Sequence, residues 1–165
     1  MRTDGQNHLV KIGVNSDIIE TEIAYYHQFK DQPTDLVRNL RYGLSIEDQC
    51  RSIFAYLVDH VRYKLDPDDS QFIKSPARLL YDGTGDCKSL TMFICSCLHC
   101  LGITHKFRFV NFDGSRQFSH VYAVAVDEQG QEIILDACEL DNNGVPMFDY
   151  ARPYSVKKDF VFYER

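Results

Sequence analysis

Apolar side chains in the first hundred residues recur at the three- and four-residue spacing of amphipathic helices. The pattern predicts helices over residues 17–30, 34–41, 45–64, 76–81 and 87–101. Asp17, Ser45 and Ser75 precede the apolar stripes of three of them and are predicted as N-caps. The last helix is the most apolar, and Gly102 is expected to end it, because glycine readily takes the left-handed conformation of a helix C-terminus.

The period changes to alternation after Gly102, which predicts strands. These strands are expected over residues 105–110, 118–127, 131–137 and 158–164. Asp113-Gly114 and Gln129-Gly130 mark turns, so the first three strands are predicted to form an antiparallel meander. Residues 1–16 are interpreted as an irregular or short-strand arm, and residues 66–76 as a polar loop. The pattern predicts one α+β domain over residues 1–165, with helices first and a sheet second.

Composition narrows the function classes. The chain has 165 residues, a net charge of −6 and 18 basic residues that form no long block, so a nucleic-acid partner is disfavoured. No run reaches the ~18 apolar residues of a membrane span. The N-terminal segment lacks the apolar core of a secretory signal. We therefore expect a cytoplasmic protein, with signal-free export as the alternative, and leave the oligomeric state open.

The stretch "GTGDCKSL" (83–90) places a cysteine where a loop becomes a helix. The first turn of a helix presents free N–H groups and the positive end of the helix dipole, which stabilise a thiolate at Cys87. Gly83 and Gly85 allow a tight turn and keep bulk away from the sulfur. The N–H group of Cys87 itself could hold an oxyanion. The other five cysteines are interpreted as reduced thiols, not as a disulfide framework.

A nucleophilic cysteine needs a base, and the base needs an orienting partner. His120 lies within the apolar strand "FSHVYAVAV", and Asp136 ends the next strand in "IILDA". Taken singly, each has a structural explanation, His120 as a satisfied strand histidine and Asp136 as a strand-end cap. A turn centred between residues 129 and 130 pairs residue 120 with about residue 139. A bulge or stagger is therefore expected to bring Asp136 beside His120.

The ordered set "GDC", "HV" and "LD" ends on Cys87, Val121 and Asp136 within residues 45–137. In this region the chain resembles the transglutaminase-like domain of the papain-like cysteine protease superfamily, and most of all its small stand-alone bacterial and phage members. The resemblance implies a papain-like core, with a central helix packed on an antiparallel sheet. It also implies Cys87 as nucleophile, His120 as general acid and base, and Asp136 as the residue that orients His120.

Two further features follow from the resemblance. The family has a second oxyanion donor upstream of the nucleophile, which corresponds to Tyr63 in "VRYKLDP", with Gln71 as the alternative. Tyr63 as a packed aromatic at a helix end is the structural explanation. Lys88-Ser89 stand where the family often has an acidic pair, and a cation beside Cys87 would favour the thiolate.

Two motifs are weak metal signals. Cys97-Leu98-His99-Cys100 has CxxC spacing, but it lies within a helix and lacks a second pair of ligands. "DPDDS" (66–70) is similar to the start of a calcium loop, yet Gln71 and Ala77 replace the glycine and glutamate such a loop needs. We predict no metal and no cofactor.

These observations favour a thiol-dependent acyl-transfer enzyme that acts on a peptide or carboxamide bond through a thioester. The thioester would pass to water, as in a protease or amidase, or to a lysine amine, as in a crosslinking enzyme. The expected partner is a protein or peptide substrate, with no nucleic acid and no membrane. One alternative is a catalytically silent interaction module that keeps the fold. A remote one is an arylamine-type acetyltransferase.

Overall fold

The computed structural model describes residues 8–10, 15–40, 43, 45–67, 71–115 and 117–164. In these ranges the helices are α1 (Asn15–Phe29), α2 (Thr34–Arg38), α3 (Ile46–His60), α4 (Pro76–Asp82) and α5 (Cys87–Cys100). The strands are β1 (His8–Val10), β2 (Arg62–Tyr63), β3 (Gln71–Ile73), β4 (Thr84–Gly85), β5 (His105–Asn111), β6 (His120–Val126), β7 (Glu132–Leu135) and β8 (Val156–Phe162). Helices come first and the main sheet follows, so the α+β prediction is confirmed.

The helix ends follow local chemistry. Ser45 and Ser75 cap α3 and α4, each accepting a hydrogen bond from the backbone N–H three residues further on. Gly102 follows α5 with a φ of 70°, as expected of a residue that ends a helix. The predicted cap at Asp17 is wrong, because α1 begins two residues earlier at Asn15. None of the helices in the described ranges has the length and apolarity that a membrane crossing needs.

The helix predicted over 45–64 ends early, at His60. Val61 is extended, and the next two residues form β2, which pairs in parallel with β4. The N–H of Arg62 donates to the carbonyl of Gly83, and that of Lys64 donates to the carbonyl of Gly85, each at 2.9 Å. Val61 is buried in this strand as it would be in a helix, so the apolar pattern could not show the change.

The predicted loop over 66–76 contains a strand. Residues 71–73 form β3, which pairs antiparallel with β1 in the N-terminal arm. Its hydrogen-bonding partner is remote in sequence, so no local pattern marks it. Residues 68–70, which complete the "DPDDS" segment, lie outside the described residues, as do residues 1–7 and 11–14 of the arm.

The main sheet has the strand order β7-β6-β5-β8, with every neighbouring pair antiparallel. The meander over β5, β6 and β7 is confirmed, and β8 adds to the other side of β5. Helix α5 packs on one face of the sheet, and its side chains are buried from Lys88 to Leu98. The core on this face includes Phe93, Phe107, Ala123 and Leu135, all without exposed surface. Burying side chains of this size is the main favourable contribution to folding.

The other face of the sheet carries a smaller cluster of Val110, Tyr122 and Val124. Beside it Arg108 is almost fully buried, and its guanidinium donates to Asp159 on β8 and to Glu132 on β7 at 2.8–2.9 Å. A buried cation requires such pairing. Strand alternation therefore separates an apolar, helix-covered face from a mixed face that carries an ion-pair network.

Candidate active site

Cys87 is the first residue of α5 and directly follows the N-cap, Asp86. Gly83 ends α4 with a φ of 68° and supplies the expected turn. At Gly85 a Cβ would lie 2.5 Å from a methyl group of Leu79 and 3.1 Å from Ser89. A side chain at position 85 would therefore have to displace Leu79 of α4 and would crowd Ser89 of α5. The sulfur of Cys87 stays partly exposed at the start of the helix.

His120 and Asp136 are in direct contact, with 2.7 Å between Nε2 of the imidazole and Oδ2 of the carboxylate. The strand pairing explains this without a bulge. Ala123 pairs with Leu135, and continuing this register places Tyr122 opposite Asp136. His120 and Asp136 are thus diagonal neighbours on one face of the sheet. The expected register was wrong by one residue, because the turn is centred on residue 129.

The carboxylate of Asp136 is fixed from both sides. Its Oδ1 accepts the backbone N–H of Cys138 at 3.1 Å, and its Oδ2 accepts the N–H at Nε2 of His120. The residue is only 2% exposed. These two hydrogen bonds fix the carboxylate, and Asp136 in turn holds His120 in one tautomer and one orientation.

Cys87 and His120 line the same cavity, and the thiol lies near enough to the imidazole to affect its pKa. Helix α5 is also tied to β6, since the hydroxyl of Thr91 donates to the carbonyl of Val121 at 3.1 Å. Burial alone would lower the pKa of His120. The hydrogen bonds to Asp136 and Cys87, together with their negative charges, outweigh burial and raise that pKa to about 10. The structure therefore places His120 in contact with Asp136 and on the wall of the cavity that Cys87 also lines.

Tyr63 lies next to this group on β2, where it pairs with Gly85, two residues before the cysteine. Burial raises the pKa of its phenol, and the charges of Cys87, Cys138, Asp86 and Asp136 raise it further. The hydroxyl is thus a neutral donor, and Tyr63 lines the same cavity as Cys87. The side chain of the alternative, Gln71, lies outside the described residues.

The cation of Lys88 does not stand alone beside Cys87. It is buried, contacts the carboxylate of Asp86 and lies 3.8 Å from the carboxylate of Asp66. Its positive charge is therefore balanced locally. The help that sequence reasoning expected it to give the thiolate is correspondingly reduced.

Among the described residues, His120, Asp136 and Cys138 offer one metal-ligand atom each, all within 4.8 Å of one another. Burial and the charge of Asp136 raise the pKa of the Cys138 thiol, so it is kept protonated. The Nε2 atom of His120 already donates to Asp136 and has no lone pair to offer. A metal bound here would therefore compete with the proton of the Cys138 thiol and with the hydrogen bond between His120 and Asp136. The cysteines of the CxxC spacing, Cys97 and Cys100, lie within α5.

Glu22 is a residue of this site that the sequence pattern did not identify. It lies on α1 between Ile19 and Tyr26, the three residues forming one buried stripe at the i, i+3, i+7 spacing of a helix. Its side chain lines the cavity that Cys87, His120 and Tyr63 also line. The signal that could have found it is a carboxylate at a position where the stripe calls for an apolar side chain.

A helix that begins with a cysteine, packed on an antiparallel sheet whose strands carry a paired histidine and aspartate, defines a papain-like fold. The profile of the transglutaminase-like superfamily matches residues 34–137. The chain therefore belongs to the transglutaminase-like superfamily, and the resemblance noted in the sequence is confirmed. A comparison with curated protein sequences finds no match.

Solved structures share this fold at low sequence identity. A candidate protease from Parabacteroides distasonis superposes with a TM-score of 0.63 at 10% identity, over 74% of this chain and 26% of that protein. A candidate cysteine protease from Cytophaga hutchinsonii gives 0.54 at 15% identity, over 87% and 52%. Calcium-bound LapG from Legionella pneumophila gives 0.54 at 18% identity, over 91% and 84%. The chain thus spans about a quarter and about half of the first two proteins.

Proposed function

We propose that this protein is a thiol-dependent acyl-transfer enzyme that hydrolyses a peptide or carboxamide bond through Cys87, His120 and Asp136. The observation that carries the proposal is the position of His120. Its ring contacts a buried carboxylate at 2.7 Å, and it lines one cavity with Cys87 at the start of α5. A cysteine beside a charged imidazole at a helix N-terminus is a typical activated nucleophile.

In the first step the sulfur of Cys87 attacks the carbonyl carbon, forming a C–S bond. The negative charge that develops on the oxygen is held by the backbone N–H of Cys87 and by the hydroxyl of Tyr63. His120 then gives its proton to the departing nitrogen as the C–N bond breaks. The products of this step are an amine or ammonia and a thioester on Cys87.

In the second step His120 takes a proton from water, and the resulting hydroxide equivalent attacks the thioester. A carboxylic acid leaves, and Cys87 recovers its thiolate. We favour water as the acceptor because Cys87 is partly exposed. A lysine amine in place of water would give an isopeptide crosslink from the same thioester.

The test combines labelling and turnover. Iodoacetamide at pH 6 should alkylate Cys87 faster than Cys100, which is also partly exposed. A peptide library incubated in ¹⁸O-water should yield fragments with one ¹⁸O in the new carboxyl group, and Cys87→Ala should abolish them. Incorporation of dansylcadaverine without ¹⁸O uptake would assign transamidation instead. Equal alkylation of the two thiols with no turnover would point to a silent module.

A further inference from the structure

Glu22 occupies a core position without the partners that a buried carboxyl group needs. The side chain is 0% exposed, and neither carboxyl oxygen has a hydrogen-bond donor among the described residues. A buried polar atom left without a hydrogen-bond partner destabilises the folded protein. An apolar residue here would continue the stripe of Ile19 and Tyr26 without that cost. A ligand that donates hydrogen bonds to the carboxyl group would supply the missing partner.

Glu22 belongs to the wall of the space a substrate would enter. Glu22 lines a cavity of about 300 Å³ together with Cys87, His120 and Tyr63. The acidic groups on this wall are Glu22, Asp66 and Asp86, against the single lysine Lys88. Lys88 contacts Asp86 and lies close to Asp66, whereas His120 is balanced by Asp136. Of the acidic groups described around the cavity, Glu22 is the one that makes no ion pair.

We propose that Glu22 binds a positively charged group of the substrate, an ammonium or guanidinium, while the substrate carbonyl reaches Cys87. The inference rests on the proposed function, because it names the class of substrate for the same site. A cation would give both carboxyl oxygens a charged donor, and charge-assisted hydrogen bonds are about twice as strong as neutral ones. An anion would meet an excess of negative charge on the cavity wall.

The protonation state of Glu22 favours a cationic ligand. Burial raises the pKa of Glu22, the charges of Cys87 and Asp86 raise it further, and Lys88 lowers it. In the free protein the carboxyl group is therefore held protonated, which avoids a buried unpaired charge. An arriving cation favours the carboxylate, and the proton leaves to solvent. One positive charge enters the cavity as another leaves it.

Two reagents that modify Cys87 test the charge preference without a known substrate. In both 2-aminoethyl methanethiosulfonate, a cation, and propyl methanethiosulfonate, which is neutral, the thiolate displaces methanesulfinate and forms a mixed disulfide. Both rates depend equally on the fraction of thiolate, so their ratio isolates the effect of the ligand's charge. We expect Glu22→Gln to lower the cation-to-neutral ratio by roughly tenfold, the worth of exchanging a charged for a neutral hydrogen bond.

The matched control is Glu20→Gln, which removes a carboxylate from the exposed side of the same helix. Its ratio should stay at the parent value. An unchanged ratio in Glu22→Gln, or an equal fall in both variants, would overturn the inference, the second by showing a general field effect. The preference should also grow with pH in the parent as Glu22 ionises, whereas in Glu22→Gln only the other cavity groups, Asp66, Asp86, Cys87, Lys88, His120 and Tyr63, can contribute.

A second measurement does not depend on a reactive cysteine. In Cys87→Ala protein carrying ¹³C-labelled glutamate, butylammonium should move the Glu22 carboxyl resonance toward its ionised position, and butanol should not. A response to butyramide alone would overturn the inference in favour of a neutral carboxamide. If Cys87 of the parent proves unreactive while butylammonium still ionises Glu22, the proposed enzyme fails but the cation site stands.

Discussion

Two buried histidines on neighbouring strands of the main sheet have pKa values that are shifted in opposite directions. His105 on β5 has no exposed surface, and burial lowers its pKa to about 4. His120 on β6 is nearly as buried, yet its pKa is raised to about 10. Strand alternation places them on opposite faces, His105 opposite Ala125 and His120 opposite Val110.

Their partners explain the difference. Nδ1 of His105 donates to the carbonyl of Ile103 at 2.8 Å, so Nε2 accepts the hydroxyl of Tyr26 at 2.7 Å. Both contacts suit a neutral ring. His120 instead contacts the carboxylate of Asp136, and the thiol of Cys87 also acts on its pKa. Burial disfavours a charged imidazole in both places, and only a negatively charged neighbour reverses that preference. The comparison indicates that the fold keeps His105 neutral within the core, whereas the neighbours of His120 favour its charged form.

The largest expected effect comes from removing the charged imidazole. In His120→Gln the thiol of Cys87 loses its partner, and an ordinary thiol is only about 0.3% ionised at pH 6. We expect the rate of alkylation of Cys87 by iodoacetamide at pH 6 to fall about 100-fold. Mass spectrometry of the labelled peptides gives this rate, with Cys100 as the internal reference. A fall of less than threefold would show that His120 does not stabilise the thiolate.

Protonation of His105 should be visible in the way the unfolding free energy depends on pH. The unfolded chain binds a proton at this residue below pH 6.5, but the folded protein binds it only near pH 4. The unfolding free energy should therefore decrease as pH falls through this window, by on the order of 3 kcal/mol. Urea unfolding of the parent and of His105→Gln at several pH values measures the difference. Parallel curves for the two proteins would contradict the assignment.

Asp136→Asn should move His120 toward the behaviour of His105. The amide removes the negative charge, and loss of an opposite charge lowers the pKa of a histidine by roughly 1–3 units. We expect NMR titration of the His120 ring to show this decrease, while the ring of His105 is unchanged. A decrease in both rings would indicate a general disturbance of the sheet. No decrease would assign the raised pKa to Cys87 alone.

Much of this site could be anticipated from local sequence. A cysteine after "TGD", a histidine inside an apolar strand and an aspartate at the end of the next strand identified the three residues that meet, although their catalytic role stays a prediction. The register was wrong by one residue, since the pattern does not fix where a hairpin turn is centred. Two features depended on remote contacts. Tyr63 is on a strand because residues 62–63 pair with residues 84–85. Glu22 lines a cavity whose other walls come from elements remote in sequence.

The smallest effect concerns the Tyr26 hydroxyl that hydrogen-bonds to His105. Tyr26→Phe leaves Nε2 of His105 without a donor in the core, which should lower the unfolding free energy at neutral pH by about 1 kcal/mol. The lost donor stabilised the neutral ring, so the pKa of His105 should rise toward its ordinary value. Protonation in the folded state then becomes easier, and the difference between variant and parent should shrink as pH falls toward 4.

This pH dependence separates a lost hydrogen bond from lost packing. A packing defect at Tyr26 would cost the same at every pH, whereas the loss of a donor to a titrating ring costs most where the ring is neutral. Urea unfolding at pH 7 and pH 4.5 distinguishes the two, with Tyr163→Phe at a largely exposed phenol as the control. A constant difference would mean that burial alone keeps His105 neutral. The contrast with His120 would then depend on the charged partners of His120 and not on the partners of both residues.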